Sequence, residues 1–267
     1  MDLGLWAEAV ADLEHAARVD PQSAEVIGDL GAIYTRLRRY REARAALERA
    51  RLLRPSSLSL VHARARLAAM EGDLEGIRQV FRSMEEIVGR RRVVAYVALR
   101  EDLIWALDDE ARRAVLELTP DDLDGGRADW ALALAQVHWL RGDTELARAY
   151  GDRATQAFTS LLADYGGQVD RHQLVALRGL SQAYAGRTDE AMAEGLRAEA
   201  QQPKDQNTQG SCVRYVVARI HVLAGRPEEA IDRLVALADE PGLRSGPLFR
   251  IDPNMAPIRA HPRFVWR

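Results

Sequence analysis

Four small or apolar residues recur at intervals of 34 positions in the first half of this chain, and this spacing restricts the fold to a tandem array. They are Ala9, Ala43, Ile77 and Ala111, and each is followed four positions later by a larger apolar residue: Leu13, Leu47, Phe81 and Val115. A fixed period of this length indicates a supersecondary unit that buries its apolar face only by stacking on its neighbours. The sequence therefore predicts a stack of similar units.

Within one unit the apolar residues have the spacing of two packed helices. In residues 24–54 the first stripe follows the i, i+3, i+4, i+7 pattern of a helix and consists of Ile27, Leu30, Gly31 and Tyr34. The second stripe consists of Ala43, Leu47 and Ala50, and Pro55 ends its helix because proline cannot donate a backbone hydrogen bond. Small residues allow the two backbones of a unit to approach closely, and they recur at Gly31, Ala65, Ala135, Gly179 and Ala218.

The second half keeps this pattern with looser spacing. Its recurring alanines are Ala147, Ala191 and Ala230, at steps of 36, 44 and 39 residues. Four glycines begin short turn sequences, and each predicts a residue of left-handed backbone conformation between two helices. They are Gly72, Gly142, Gly186 and Gly225. The unit around Ala111 is the weakest match because Asp108 replaces the turn glycine.

The 34-residue period and these neighbours resemble the tetratricopeptide repeat. This resemblance implies an all-α fold, in which tandem helix-turn-helix repeats form a right-handed α-solenoid. We expect the array to occupy residues 1–240, with a half repeat over residues 1–21 followed by about six repeats, the fourth degenerate. Half of the ten prolines fall in the last 27 residues, so residues 241–267 are expected to form an irregular cap packed on the last repeat.

The first residues match only the second half of a unit. The apolar face that carries Trp6, Val10 and Leu13 is therefore expected to contact another chain or to be covered by a rearranged segment. A homodimer through this half repeat is one form that the contact can take.

Composition argues against several classes of function. The net charge of -3 gives no general reason to bind nucleic acid or an anionic membrane. The sequence has no run of eighteen apolar residues and no signal-peptide layout, so we expect a cytoplasmic protein. Cys212 is the only cysteine, and the six histidines lack metal-ligand spacing. Because P-loop, HExxH, GxSxG and kinase-type motifs are also absent, we expect no catalytic residue, cofactor or metal.

The resemblance also implies where a partner binds. In tetratricopeptide arrays the first helix of each unit lines the concave surface, and the corresponding residues here are His62, Arg66, Tyr96, Arg100, Gln136, Trp139, Tyr215 and Arg219. Arginine with aromatic residues suits a protein or peptide with carboxylates, although in an arginine-rich chain some arginines fall at these positions by chance. The Lys-Asn clamp that holds chaperone C-termini is not preserved, which argues against that partner class. The residues at the positions of this clamp are Gly28 with Ala32, His62 with Arg66, and Tyr96 with Arg100.

A closing pattern narrows the resemblance further. Residues 186–264, which end in DP…P(I/L)R…PRF at Asp252–Phe264, are similar to the C-terminal arrays of bacterial multidomain signalling proteins. In that family the array follows a serine/threonine kinase, a nucleotide cyclase or a winged-helix regulator. The resemblance implies a non-catalytic interaction scaffold or a sensory or docking module. The alternative is a module that senses a small ligand or peptide in a pocket around Tyr96, Trp139 and Tyr215 and relays occupancy to an attached effector domain.

Overall fold

The computed structural model describes residues 3–100, 102–164, 167, 171–202 and 207–266, and these residues form a helical array. Its helices are α1 (Leu3–Val19), α2 (Ala24–Arg36), α3 (Tyr40–Leu53), α4 (Leu58–Glu71), α5 (Leu74–Val88), α6 (Arg90–Arg100), α7 (Asp109–Leu116), α8 (Arg127–Arg141), α9 (Thr144–Asp164), α10 (Arg171–Tyr184), α11 (Thr188–Ala200), α12 (Asn207–Leu223), α13 (Pro227–Asp239) and α14 (Gly246–Ile251). Short 3₁₀ turns lie at Ile104–Ala106, Pro120–Leu123 and Pro253–Ile258. No strand occurs among these residues, so the prediction of an all-α solenoid is confirmed.

The recurring residues lie near the start of every second helix. α3, α5, α9, α11 and α13 each begin three residues before their anchor, and α7 begins two residues before Ala111. From Ala43 onward the anchor side chains are at most 3% exposed, whereas Ala9 is partly buried. Each of these helices packs against the helix before it, from the pair α2–α3 to the pair α12–α13. The period in the sequence therefore corresponds to the repeating helix pair.

Close helix approach explains the small residues of the first helices. An added Cβ on Gly31 would lie 2.6 Å from Leu47 Cγ and 3.2 Å from the Leu47 backbone nitrogen. One on Gly179 would lie 3.2 Å from the Ala191 carbonyl oxygen. Larger side chains at these positions would push the two helices of a unit apart.

The turns between helices follow the predicted chemistry. Gly72, Gly142, Gly186 and Gly225 have φ angles between 68° and 83°, a conformation that favours glycine. In the first complete unit Arg38 takes this conformation instead, with φ of 59°.

The fourth unit is irregular, as its weak sequence match predicts. α7 has only eight residues, and a 3₁₀ turn lies on each side of it. Asp108 compensates for the missing glycine because its Oδ1 accepts a hydrogen bond of 3.0 Å from Ala111 N and caps α7. Trp105, only 2% exposed, fills the space beside this short helix and donates to the Asp102 carbonyl oxygen at 2.8 Å.

The last segment, residues 241–266, contacts both the final helix pair and the early helices. The turn at Pro253–Ile258 packs on α12, while α14 packs on α4. Ser245 Oγ donates to the Met70 carbonyl oxygen at 2.7 Å, and Gly242 N donates to the Arg36 carbonyl oxygen at 2.9 Å. Phe264, which is completely buried, belongs to one apolar cluster together with residues of α4 to α8, α12 and α13. The array therefore curls until its end meets its first complete units.

The first helix is covered largely by its own chain. Val10 is 7% exposed and packs with Leu30 and Tyr34 of α2, with Leu13 beside them, and Trp6 is 9% exposed. Burial of Trp6 and Val10 therefore needs no second copy, and the homodimer stays a prediction. No helix in the described part of the chain is both long and apolar enough to cross a membrane.

Candidate functional site: a charged groove across three helices

A groove of about 480 Å³ crosses the first helices of three successive units, α2, α4 and α6. We call it the α2–α4–α6 groove. The six positions of the predicted inner wall in these units all line it, and they are Gly28, Ala32, His62, Arg66, Tyr96 and Arg100. Arg36 and Leu243 complete one end. Leu243 is brought there by the return of the last segment, which its position in the sequence did not indicate.

Small residues on α2 create the space. An added Cβ on Gly28 would lie 2.5 Å from Leu60 Cδ2, so a larger residue would have to displace the Leu60 side chain of α4. Ala32, one turn later, also has a small side chain. At the equivalent positions of the 34-residue register, the groove is therefore lined by small residues on α2 and by larger side chains on α4 and α6.

Three arginines of these helices line the groove: Arg36 and Arg100 are the last residues of α2 and α6, and Arg66 lies five residues before the end of α4. Burial lowers the pKa of Arg36, and the nearby positive charge of Arg66 lowers it further. Arg100 is exposed, and its guanidinium carbon lies 5.2 Å from the centroid of the Tyr96 ring. Neither Arg36 nor Arg100 has a carboxylate within ion-pair distance among the described residues. This end of the groove therefore offers positive charge to an anionic partner group.

Arg66 differs from its two neighbours because it is bound to a buried carboxylate. Its Nε donates to Asp102 Oδ2 at 2.8 Å, and His62 Nε2 lies 2.8 Å from Asp102 Oδ1. Burial would raise the pKa of Asp102, but the charges of Arg66 and His62 and the hydrogen bond from His62 outweigh it and hold the pKa well below its usual value. Arg244, from the last segment, adds further positive charge.

This pairing distinguishes Arg66 from Arg100 in its effect on stability. The Arg66 side chain is only 27% exposed, and Arg66→Glu would place a second carboxylate against the buried Asp102. We therefore expect Arg66→Glu to lower the melting temperature, because removing one partner of a buried ion pair is costly.

The opposite end of the groove carries two acidic side chains. Glu25 and Asp29 lie one turn apart on α2 and both line the groove. Burial and the neighbouring Glu25 raise the pKa of Asp29, which Arg36 partly offsets. Glu25 and Arg36 are eleven residues apart on one helix, or roughly 16 Å. The side chains of α2 therefore change from acidic to basic along the groove, while Arg54, just before α4, adds one positive charge to the lining.

The four predicted residues of the second half are placed differently. Gln136, Tyr215 and Arg219 are at most 2% exposed. The Tyr215 hydroxyl donates to Asp252 of the last segment, and Arg219 Nη2 donates to the Tyr184 hydroxyl at 2.9 Å. Trp139 is half-buried, 6.2 Å from the Tyr184 ring. Tyr215 therefore presents no surface on which a ligand could share a pocket with Tyr96 and Trp139.

A second groove, of about 640 Å³, adjoins the first. Tyr96 lines both, and the second groove also contains Leu58 of α4, Ala95 and Leu99 of α6, and residues 122–124. A bidentate pair forms part of its wall, since Arg91 Nε and Nη2 donate to Asp122 Oδ1 and Oδ2 at 2.6 and 2.7 Å. This groove was not anticipated, because it depends on the shortness of α7 and on the 3₁₀ turn that follows.

The described residues contain no group of three or more histidine, cysteine or acidic side chains that could hold a metal ion. The α2–α4–α6 groove itself is lined mainly by charged and small side chains, together with Tyr96 and His62.

Residues 1–67 match the family model of the tetratricopeptide repeat. The match covers the first quarter of the chain and includes the half repeat, the first complete unit and the start of α4. Among the curated proteins, none matches this sequence closely enough to count as a relative.

Several solved structures are similar to this chain. A tetratricopeptide repeat protein from Parabacteroides merdae has 16% identity and a TM-score of 0.44, over 88% of this chain and 87% of its own. The pilus biogenesis factor PilW has 14% identity and a TM-score of 0.43, over 87% of this chain and 96% of its own. A chain of the Cut9–Hcn1 hetero-tetramer has 13% identity and a TM-score of 0.48, over 97% of this chain but only 46% of its own.

Proposed function

We propose that this protein is a non-catalytic interaction module that binds an extended, acidic segment of a partner protein in the α2–α4–α6 groove. The observation that carries the proposal is that three arginines lining the groove, Arg36, Arg54 and Arg100, have no carboxylate within ion-pair distance among the residues that the structure describes, and that Arg36 and Arg100 end α2 and α6. A half-buried guanidinium beside another positive charge is electrostatically unfavourable in the free protein. A carboxylate from a partner would relieve this repulsion and form charge-assisted hydrogen bonds.

The shape of the groove supports a peptide as the partner. It crosses three parallel helices, and the Tyr96 ring at its edge supplies apolar contact area at a low entropic cost. The acidic pair Glu25 and Asp29 would repel a ligand that is acidic along its whole length. A segment that is acidic at one end and neutral or basic at the other therefore fits best.

The sequence resemblance supports a signalling or regulatory role for this binding. Residues 186–264 are similar to arrays that serve bacterial kinases, cyclases and winged-helix regulators. We propose that the groove docks a partner for such a signalling or regulatory protein in the cytoplasm. Self-association through the first half repeat belongs to the same proposal.

A small ligand is a second candidate occupant. The groove volume of about 480 Å³ lies in the range of ordinary small-molecule sites. In this case occupancy would be relayed to an attached effector domain. A single carboxylate-bearing small molecule would then bind as tightly as a peptide.

The test is the affinity of a fluorescein-labelled ten-residue peptide of serine and glycine with two central glutamates, acetylated and amidated so that its termini carry no charge. Arg100→Glu should weaken binding at least about tenfold, a loss of roughly 1.4 kcal/mol, because it reverses an exposed charge in the groove. Arg41→Glu is the matched control, since Arg41 is an exposed arginine of α3 outside the groove. Equal affinities for the two variants would contradict the proposal, and glutamate competing as well as the peptide would favour the small ligand.

A further inference from the structure

We infer that the partner segment carries a second anchor, a bulky apolar side chain about four residues away from its acidic group, and that this side chain lies in the second groove. The inference rests on the proposed function, because it extends the same peptide beyond Tyr96. It specifies the chemistry and the spacing of the partner, which the charged groove alone does not.

Continuity between the two grooves is the first argument. Tyr96 forms a wall of both, so a chain that leaves Arg100 along α6 passes the Tyr96 ring and enters the second groove. Arg100 and Arg92 are eight residues apart on this helix, or roughly 12 Å. An extended peptide rises about 3.3 Å per residue and covers that distance in about four residues. Side chains four apart in an extended chain also point to the same side, so both anchors can face the protein.

The apolar lining of the second groove is the second argument. Leu58, Ala95 and Leu99 all line this groove, and Leu99 is 38% exposed although it lies in a concave site. Covering this surface with a leucine or phenylalanine side chain would remove apolar area from water on both partners. An apolar occupant therefore suits this groove, while an acidic one suits the first.

The wall of the second groove is formed before any partner binds. Thr119 N and Oγ1 donate to Asp122 Oδ2 at 2.8 and 2.9 Å, which fixes the 3₁₀ turn after α7. Hydrogen bonds from Arg91 and Thr119 lower the pKa of Asp122 to about 2, so the bridge from α6 to this turn stays ionised at neutral pH. A preformed groove has less conformational entropy to lose on binding.

Charged side chains at the edge of this groove bear on which residue can follow the apolar anchor. Arg92 is exposed, lines the groove and has no ion pair among the residues that the structure describes. Asp124 lines the same groove and is also exposed, so the edge carries both signs of charge. The expected partner segment is therefore acidic, then apolar, and a polar residue of either charge can follow the apolar one.

The test uses capped, fluorescein-labelled ten-residue peptides of serine and glycine, with one glutamate at position 2 and one leucine three, four, five or eight residues after it. A fifth peptide lacks the leucine. The peptide with a spacing of four should bind about tenfold more tightly than the peptide without leucine, and a spacing of eight should give no gain. Equal affinity with and without leucine would overturn the inference.

Two protein variants separate this inference from the proposed function. Leu58→Ser should remove the advantage of the peptide with a spacing of four and leave the peptide without leucine unaffected, because Leu58 lies one repeat before Arg92 and so at the same level of the second groove. Leu74→Ser is the control and should change nothing, since Leu74 is likewise a half-buried first residue of a helix but lines neither groove. Arg100→Glu should weaken all five peptides. An unchanged leucine advantage in Leu58→Ser would overturn the second anchor alone, whereas the absence of binding by every peptide would overturn the proposed function as well.

Discussion

The inner-wall positions of the first and second halves share one register but differ in their surroundings. In the first half, His62, Arg66, Tyr96 and Arg100 all line a groove. In the second half, Gln136, Tyr215 and Arg219 are enclosed. For Tyr215 the difference arises because the last segment returns to the array, so that Asp252 and Phe249 cover it, whereas Arg219 donates to the Tyr184 hydroxyl of α10. Repeat register therefore predicts which side of a helix faces inward, while the path of the whole chain decides whether that side meets solvent.

Weakening the contact between the last segment and Tyr215 should have the largest effect on stability. Phe249 is completely buried, and its ring stacks on Tyr215 with centroids 6.1 Å apart. Phe249→Ala should lower the free energy of unfolding by roughly 3–5 kcal/mol, because it leaves a cavity where the last segment joins the array. Urea denaturation measures this loss. Val265→Ala, at a 71% exposed position of the same segment, should cost less than about 0.5 kcal/mol; a similarly small effect of Phe249→Ala would mean that the segment is not part of the core.

The buried carboxylate of the first half comes next. Asp102→Asn should lower the free energy of unfolding by roughly 1.5–3 kcal/mol, because Arg66 and His62 lose their charged partner. Asp109→Asn, at a side chain that is 90% exposed, is the control and should be nearly neutral. Equal stability of the two variants would show that the ion pair beneath the groove does not contribute.

The pH dependence of stability should also differ between the two halves, and this effect should be smaller. Burial, with a contribution from Arg233, lowers the pKa of His221 on α12, and neither ring nitrogen has a hydrogen-bond partner among the described residues. Below pH 6.5 the unfolded chain binds this proton more readily than the folded chain. Stability should therefore fall as the pH decreases from 7 towards 5, with a slope from this group below about 1.4 kcal/mol per pH unit.

His221→Phe should remove this part of the slope in urea titrations at pH 5, 6 and 7. The pKa of Asp102 is lowered, so its stabilisation is present above pH 3.8 and is lost only at more acidic pH. A slope that persists in His221→Phe would contradict the assignment.

Local signals in the sequence predicted most of the fold. The recurrence of Ala43, Ile77 and Ala111 located the helix pairs, because close packing tolerates few residue types at these points. The glycine turns followed from backbone sterics. The register also identified Gly28 and Ala32 as the inner-wall positions of α2. These features depend on residues within about one repeat of each other, which is the range over which a periodic pattern is informative.

Contacts between distant parts of the chain were not predictable in this way. Arg36 lies one turn beyond the register that identified Arg66 and Arg100, although a basic residue at a helix end could have suggested it. Leu243 reaches the groove only because the array curls. The burial of Tyr215 has the same origin, since it depends on contacts between segments more than thirty residues apart that no period encodes.

The most direct test of the closed array is a distance between nitroxide spin labels at Arg41→Cys and Asp239→Cys, in a Cys212→Ser background. Both residues are exposed, and they lie near Arg38 and Glu240, where Arg38 Nη2 donates to the Glu240 carbonyl oxygen at 3.0 Å. Pulsed electron paramagnetic resonance should give one short distance, as this contact requires. An open array would separate the same sites by five helix pairs, or roughly 40–50 Å at ordinary helix spacing. A dominant distance in that range would contradict the closure of the array and, with it, the explanation for the burial of Tyr215.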